Sequence, residues 1–282
     1  MRRFFMLSII KFSTYVFVVI VLIVLFIVTL QQHDKASNTL ISVQNLSIKP
    51  LDSSQDPVPD FTSFEVTQNK KRAFFGYLLP EIRRQNTIVE KERSMVKALI
   101  TIADSNQANQ NHFSKQEQQV FELLKAKYRL KLDEDISIQD TLDQLLIMVD
   151  IIPEELILVQ AANESGWGTS RFATKGYNFF GLWCFKQGCG FIPKNRNEGA
   201  AHEVAKFKDL SHAVMTYIRN LNRLDAYQEL RQIRAKLRSQ NKAVTGNALS
   251  NGLMSYSERG QEYIDEIQSM LRVNKPYMDI SS

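Results

Sequence analysis

A hydrophobic helix that begins at Pro153 and ends before Gly166 constrains the fold of this chain more than any other feature. Proline suits the first turn of a helix, and the two glutamates that follow it favour the positive end of the helix dipole. Gly166 and Gly168 then stop the helix. Its buried surface is expected to come from Leu156, Ile157, Val159 and Ala161. Such a helix must pack its aliphatic side chains against other parts of the chain.

Glu164 lies on the apolar face of this helix, because Ile157, Ala161 and Glu164 follow i, i+4, i+7 spacing. Partial desolvation disfavours the carboxylate, and the negative end of the helix dipole acts in the same direction. Both effects are expected to raise the pKa of Glu164. A carboxyl group that holds its proton near neutral pH can serve as a general acid. The alternative is a solvated glutamate near a helix end.

Three segments with recognisable residues follow one another in the second half of the chain. They are Gln-Ala-Ala-Asn-Glu-Ser-Gly-Trp-Gly at Gln160–Gly168, Tyr-Asn-Phe-Phe-Gly-Leu-Trp at Tyr177–Trp183, and Tyr256 shortly before Gly260 and Tyr263. In sequence, order and spacing, these segments resemble the glucosaminidase domain of glycoside hydrolase family 73, in a branch found in Gram-negative bacteria. The resemblance covers residues 142–273.

This resemblance implies a fold, an activity and a set of site residues. The fold is mainly α (α+β), a lysozyme-like helical domain with a small β-hairpin. The activity is hydrolysis of the peptidoglycan bond that follows N-acetylglucosamine, with Glu164 as the general acid and Tyr256 as the tyrosine that lines the cleft. The implied substrate-binding residues are Asn178, Phe180, Gly181, Trp183 and Tyr263. No cofactor or metal is implied.

The family also places a second carboxylate on a hairpin over the cleft. The predicted hairpin consists of a strand, a turn and a return strand, at Gly190–Pro193, Asn197–Gly199 and His202–Phe207. Glu198, in the turn, is the candidate for the second acid. The match to the family position falls nearer Asn195, and Glu203 lies on the return strand. The group that attacks the sugar is therefore either water activated by Glu198 or the substrate's acetamido oxygen held by Tyr256.

The two cysteines, Cys184 and Cys189, flank a short segment that contains a glycine. In an exported protein they are expected to form a disulfide that closes a small loop beside the cleft. A metal site is the alternative. It would need a second pair of ligands, and the four histidines are scattered along the chain, at His33, His112, His202 and His212.

An apolar run from Phe12 to Leu30 sets the expected location of the protein. About 20 such residues are needed for a helix to cross a bilayer. Arg2, Arg3 and Lys11 precede the run, so the positive-inside rule predicts a cytoplasmic N-terminus and a catalytic domain in the periplasm. A cleaved signal peptide is the alternative, but no small-x-small cleavage site follows the run. The predicted location is therefore the inner membrane, with a single span.

The predicted segments are residues 1–11 (basic and cytoplasmic), 12–30 (membrane anchor), 31–60 (flexible linker), 61–140 (helical accessory segment), 141–275 (glucosaminidase domain) and 276–282 (tail). The accessory segment has helical periodicity without a catalytic signature, which indicates packing or spacing against the catalytic domain. The net charge of +5, without basic runs interleaved with aromatics, argues against nucleic-acid binding. The expected partners are peptidoglycan glycan strands and the membrane. The rival functions are a lytic transglycosylase and a non-catalytic wall-binding protein.

Overall fold

The structure is a computed structural model that describes residues 19–25, 51–109, 113–130, 136–193 and 202–278. This part of the chain is mainly helical, with one small antiparallel sheet. Of the predicted membrane span, only residues 19–25 are described; they are helical and are labelled α1. None of the helices within the described ranges has the length and apolarity needed to cross a membrane.

The helices after α1 form the body of the protein. They are α2 Thr67–Asn109, α3 Lys115–Tyr128, α4 Ile138–Met148, α5 Glu154–Ser165, α6 Arg171–Gly176, α7 Leu210–Arg223, α8 Gln228–Ser239, α9 Gly246–Ser250 and α10 Gln261–Asn274. Short 3-10 turns lie at Asp52–Gln55, Asp225–Tyr227 and Lys275–Tyr277. The predicted mainly helical character is confirmed for the described residues.

Helix α5 lies at the centre of this arrangement. It begins after Pro153 and ends at Gly166, whose φ of 58° is the left-handed conformation that terminates many helices. The predicted limits of this helix are therefore confirmed. Its buried residues lie on all sides of the helix, and they are Leu156, Ile157, Leu158, Val159, Gln160, Ala161, Ala162 and Ser165. Helices α2, α9 and α10 pack around it.

Helix α2 joins the accessory segment to the predicted catalytic domain. It is 43 residues long, contains Pro80, and packs against α4, α5 and α7. Its Phe74, Leu78 and Ile82 belong to the same hydrophobic cluster as Ile157 of α5. The predicted packing of the accessory segment is confirmed, since one continuous core crosses the predicted boundary between residues 140 and 141.

The sheet has three short strands, β1 Trp183–Cys184, β2 Gly190–Phe191 and β3 Glu203–Ala205, in the order β1-β3-β2. Strands β2 and β3 are antiparallel and pair Gly190 with Ala205, which confirms the predicted hairpin strands. The predicted turn, including Glu198, lies outside the described residues. Strand β1 was not expected, because two residues carry no periodicity that a sequence reading detects.

Phe74 provides a test of the shared core. Its ring lies 5.3 Å from that of Phe61, 5.6 Å from that of Trp167 and 6.1 Å from that of Phe179, centroid to centroid. We expect Phe74→Ala to lower the free energy of unfolding by about 3–5 kcal/mol, because it removes a fully buried ring. Denaturant unfolding measures this change. The control is Phe64→Ala, where the ring is 37% exposed; equal, small effects of both variants would contradict a shared core.

Candidate active site

Glu164 lies in the last turn of α5 and is half-buried. Gly181, in the loop before β1, faces it: a Cβ atom at this position would lie 3.3 Å from Glu164 Oε2. Gly181 also has a backbone φ of 64°, a conformation that residues with a side chain rarely adopt. The glycine of the second sequence segment thus brings the loop against the carboxyl group of the first.

A chain of buried hydrogen bonds ends at Glu164. The Tyr217 hydroxyl donates to Oε1 of Gln160, and Nε2 of Gln160 donates to the Tyr263 hydroxyl at 2.9 Å. Because that hydroxyl accepts from Gln160, its own proton is directed to the Glu164 carboxylate, with which it is hydrogen-bonded. Gln160 lies one helical turn before Glu164, so α5 sets the spacing of the two groups.

The pKa of Glu164 is raised above its ordinary value, and the largest cause is burial of the carboxyl group. The hydrogen bond from Tyr263 and the positive charge of Arg259 act in the opposite direction and limit the rise. Arg259 is itself paired with Glu266 at 2.6 Å, and the charge of Glu266 raises the pKa of Glu164. The predicted direction of the shift and its cause in desolvation are confirmed.

Aromatic rings form a wall beside the carboxyl group. The Tyr256 ring stacks on that of Tyr263, with centroids 5.5 Å apart, and its hydroxyl donates to the Phe180 carbonyl oxygen at 2.9 Å. The Tyr227 ring lies 5.9 Å from that of Tyr256. Burial and the charge of Glu164 raise the pKa of Tyr227 to about 12. These hydroxyl groups therefore stay protonated at neutral pH.

Sequence reasoning did not identify Gln160, Tyr217 or Tyr227 as site residues. One signal was available for Gln160, since a polar side chain on a hydrophobic helix, four residues before a candidate acid, must find a buried partner. The two tyrosines lie more than 50 residues further along the chain. No local pattern indicates that they contact this helix.

Three of the predicted substrate-binding residues are buried, with 1% of Asn178, Phe180 and Tyr263 exposed. Asn178 Nδ2 donates to the carbonyl oxygens of Leu182 and Ala205, so this side chain holds the loop to β3. These three side chains are covered by neighbouring parts of the structure, and their role in substrate binding stays a prediction.

Trp183 has the exposure that a substrate-binding residue needs. Its side chain is 54% exposed, and its ring stacks on His202 with centroids 3.9 Å apart and planes 5° from parallel. Trp183 follows Gly181 by two residues, so the exposed ring begins the sheet immediately after the loop that contacts Glu164. The stack on His202 fixes the plane of the indole.

The loop between β1 and β2 is held in two ways. Cys184 and Cys189 form a disulfide with Cα atoms 6.2 Å apart, which confirms the predicted bridge. The buried carboxylate of Glu203 accepts hydrogen bonds from the backbone N–H groups of Gly188 at 2.9 Å and Gly190 at 2.8 Å. Both carboxylate oxygens of Glu203 are therefore hydrogen-bonded to this loop, and its candidacy as a second acid, which the sequence did not favour, stays a prediction.

Glu198, the candidate for the second acid, and Asn195, to which the family position aligns more closely, lie outside the described residues. Across the described ranges, Cys184, Cys189 and Glu203 are the group with ligand types close enough for a metal ion. Both sulfur atoms are bonded to each other, so neither is the thiolate that binds a metal.

Tyr263→Phe tests the hydrogen-bond chain. Removal of the hydroxyl removes a bond that favours the carboxylate, so we expect the pKa of Glu164 to rise further. An NMR titration of the side-chain carboxyl measures the shift. Tyr227→Phe is the matched control, because it removes a hydroxyl from the same tyrosine wall that responds to the charge of Glu164 but is not among the groups that set the pKa of Glu164. An unchanged or lower pKa in Tyr263→Phe would show that this hydroxyl is not a donor to Glu164.

Comparison with known proteins agrees with this arrangement. Residues 139–276 match a family model described as "Glucosaminidase: Mannosyl-glycoprotein endo-beta-N-acetylglucosaminidase". Protein bax of Escherichia coli (strain K12) is 30% identical over 218 residues, which cover 77% of this chain and 74% of that protein. No solved structure matches the chain significantly. The matched region contains Glu164, the loop at Gly181 and the tyrosine wall, and the chain belongs to the glucosaminidase family.

Proposed function

We propose that this protein is a peptidoglycan hydrolase that cleaves the glycosidic bond after N-acetylglucosamine, with Glu164 as the general acid. The observation that carries the proposal is the raised pKa of a half-exposed carboxyl group at the end of a buried helix. Membership of the glucosaminidase family supports glycoside hydrolysis. The three ordered sequence segments support peptidoglycan as the substrate.

In this mechanism Glu164 protonates the departing glycosidic oxygen while an oxocarbenium-like centre develops on the sugar. Burial raises the pKa of the carboxyl group and so favours its protonated form before the reaction. The hydrogen bond from Tyr263 stabilises the carboxylate that remains after the proton has left. Burial therefore favours the protonated form before the transfer, and Tyr263 favours the carboxylate after it.

The attack on the sugar is assigned either to water activated by Glu198 or to the acetamido oxygen of the substrate. Tyr256 was expected to hold that acetamido group. Its hydroxyl proton is directed to the Phe180 carbonyl, so Tyr256 has lone pairs to offer a ligand while that bond lasts. In this state it accepts a hydrogen bond from the acetamido N–H rather than donating one to the oxygen.

The exposed indole of Trp183 supports the sugar-binding part of the proposal. A flat ring fixed by a stacked histidine offers an apolar surface to the C–H face of a pyranose. Trp183 lies two residues after Gly181, which borders Glu164. A sugar stacked on the indole would therefore lie close to the carboxyl group.

We also propose that the described domain is exported and is anchored by the apolar run Phe12–Leu30. The disulfide agrees with an oxidising compartment. We expect a reporter fused to the C-terminus to be active outside the cytoplasm and the mature chain to keep its N-terminus, because Arg2, Arg3 and Lys11 lie on one side of the run. Recovery of a soluble protein that begins near Gln31 would show cleavage instead.

Glu164→Gln tests the general acid. We expect wall hydrolysis to fall by at least roughly 10²-fold with the fold retained, because the proton donor is lost. Release of soluble muropeptides from purified sacculi measures the rate, and mass spectrometry of the products tests the reaction type. Hydrolysis leaves reducing N-acetylglucosamine ends, whereas a lytic transglycosylase would leave anhydro-sugars. Glu262→Gln, an exposed position on α10, is the matched control.

The same variant has a stability signature. A carboxyl pKa raised by folding means that the contribution of Glu164 to stability is greatest below the ordinary value of 4.5 and is lost as the pH rises through the folded value. Glu164→Gln removes this loss. We therefore expect its melting temperature to exceed that of the wild type at pH 8 and not at pH 4. Near wild-type activity in this variant would exclude Glu164 as the acid.

Cys184→Ser tests the loop beside the site. A bridge that closes so short a loop contributes at most about 2–3 kcal/mol, and Glu203 holds two amides of the same loop. We expect activity to fall more than the melting temperature, because the position of Trp183 is loosened while the helical core is kept. Mass mapping of the exported wild type should find the cysteines linked. Full activity in the variant would contradict this role.

A further inference from the structure

A partly exposed ion pair spans the start of α10, beside the candidate acid. Arg259 immediately precedes Gly260, the N-cap residue of this helix, and its Nη2 atom lies 2.6 Å from Oε2 of Glu266. The guanidinium group of Arg259 also lies over the Tyr263 ring, with its Cζ atom 5.6 Å from the ring centroid. The hydroxyl of the same ring is hydrogen-bonded to Glu164. Tyr263 therefore contacts the ion pair through its ring and the acid through its hydroxyl.

The stability of α10 does not account for an arginine at this position. The first turn of a helix carries a partial positive charge, so a cation next to it is unfavourable and an acid is preferred. The side chains of Arg259 and Glu266 are 49% and 40% exposed, and an ion pair this exposed contributes little to folding. An effect on the neighbouring carboxyl group of Glu164 explains the arginine better than an effect on the helix.

The two members of the ion pair act on Glu164 in opposite directions. The positive charge of Arg259 lowers the pKa of Glu164, whereas the negative charge of Glu266 raises it. The other titratable groups that interact with this carboxyl group are hydroxyls whose own pKa values are raised by burial, and they belong to Tyr217, Tyr227, Tyr256 and Tyr263. Across the described ranges, Arg259 and Glu266 are therefore the charged residues with the largest effect on Glu164.

We propose that Arg259 and Glu266 are positioning residues for the proton transfer from Glu164. Arg259 stabilises the carboxylate that remains after the transfer, and Glu266 holds the guanidinium group at the Tyr263 ring. A direct pair between Arg259 and Glu164 would favour the carboxylate before the reaction and remove the proton that the acid must donate. Glu266 prevents that pair by engaging the guanidinium group itself. The inference rests on the proposed function of Glu164 as the general acid.

Substitutions of opposite charge test the proposal. Arg259→Gln removes the positive charge, so we expect the pKa of Glu164 to rise. Glu266→Gln removes the negative charge and releases Arg259, so we expect that pKa to fall. The double variant should return the pKa towards the wild-type value, and Arg259→Lys, which keeps the charge, should do the same. NMR titration of the Glu164 carboxyl group in the purified full chain measures these shifts without substrate.

The pH profile of sacculus hydrolysis is the second measurement. A general acid must be protonated, so the loss of rate at high pH follows the pKa of Glu164. We expect this limb of the profile to move to higher pH in Arg259→Gln and to lower pH in Glu266→Gln. Arg259→Gln should also lower kcat about two- to fivefold with KM unchanged, because the lost interaction is that of one partly exposed charge with the developing carboxylate.

The matched controls are Arg272→Gln and Glu262→Gln, which remove the same charges from exposed positions on α10 and should leave the pKa of Glu164 unchanged. The hairpin turn at residues 194–201, which includes charged side chains, lies outside the described residues. Every variant contains this turn, so a constant contribution from it cancels when variants are compared. Equal shifts in the controls would reduce the effect to net charge and overturn the proposal.

The two measurements separate this proposal from the function on which it rests. An active enzyme in which the pKa of Glu164 does not respond to Arg259→Gln or Glu266→Gln would overturn the proposal alone. Shifts in the same direction in both variants would do so as well, because opposite charges must act oppositely. Opposite pKa shifts with an unmoved pH profile would overturn the role in the reaction. A wild type that does not hydrolyse sacculi would instead overturn the proposed function.

Discussion

Burial of α5 on all sides is the constraint on which the rest of the structure depends. A helix with eight buried residues needs neighbours around its whole circumference, and α2, α9 and α10 supply them. This requirement explains why the accessory segment cannot be a passive spacer, since α2 covers part of the helix that ends in Glu164. It also explains the tyrosines, because a buried Gln160 must have hydrogen-bond partners on both ends of its amide.

The same burial supplies the chemistry. A carboxyl group at the exposed end of such a helix loses part of its hydration and keeps its proton to higher pH. Desolvation alone would raise the pKa of Glu164 further. Tyr263, oriented by Gln160, offsets part of that effect by donating to the carboxylate. The position of Glu164 at the end of the buried helix α5 thus determines both its packing and its reactivity.

The sequence was sufficient to predict features that depend on neighbouring residues. Pro153 and Gly166 bracket α5 correctly, Glu164 faces the core as its spacing required, and two cysteines five residues apart form the expected bridge. The roles that were missed depend on distant contacts. Periodicity indicates that Tyr263 is buried or bound, but only the fold shows that its hydroxyl meets Glu164 from another helix. The bond from Asn178 to β3 was missed for the same reason, because its acceptor there, Ala205, follows 27 residues later.

The position of Glu203 has a consequence for how the protein matures. Its carboxylate accepts hydrogen bonds from two amides of the loop between β1 and β2, and neither bond needs an oxidant. We therefore expect these bonds to hold the two thiols close together before they are oxidised. Oxidation then links two cysteines that β3 has already positioned. In this account the disulfide stabilises an arrangement that already exists, and an oxidase needs only to join one pair of cysteines that is already in position.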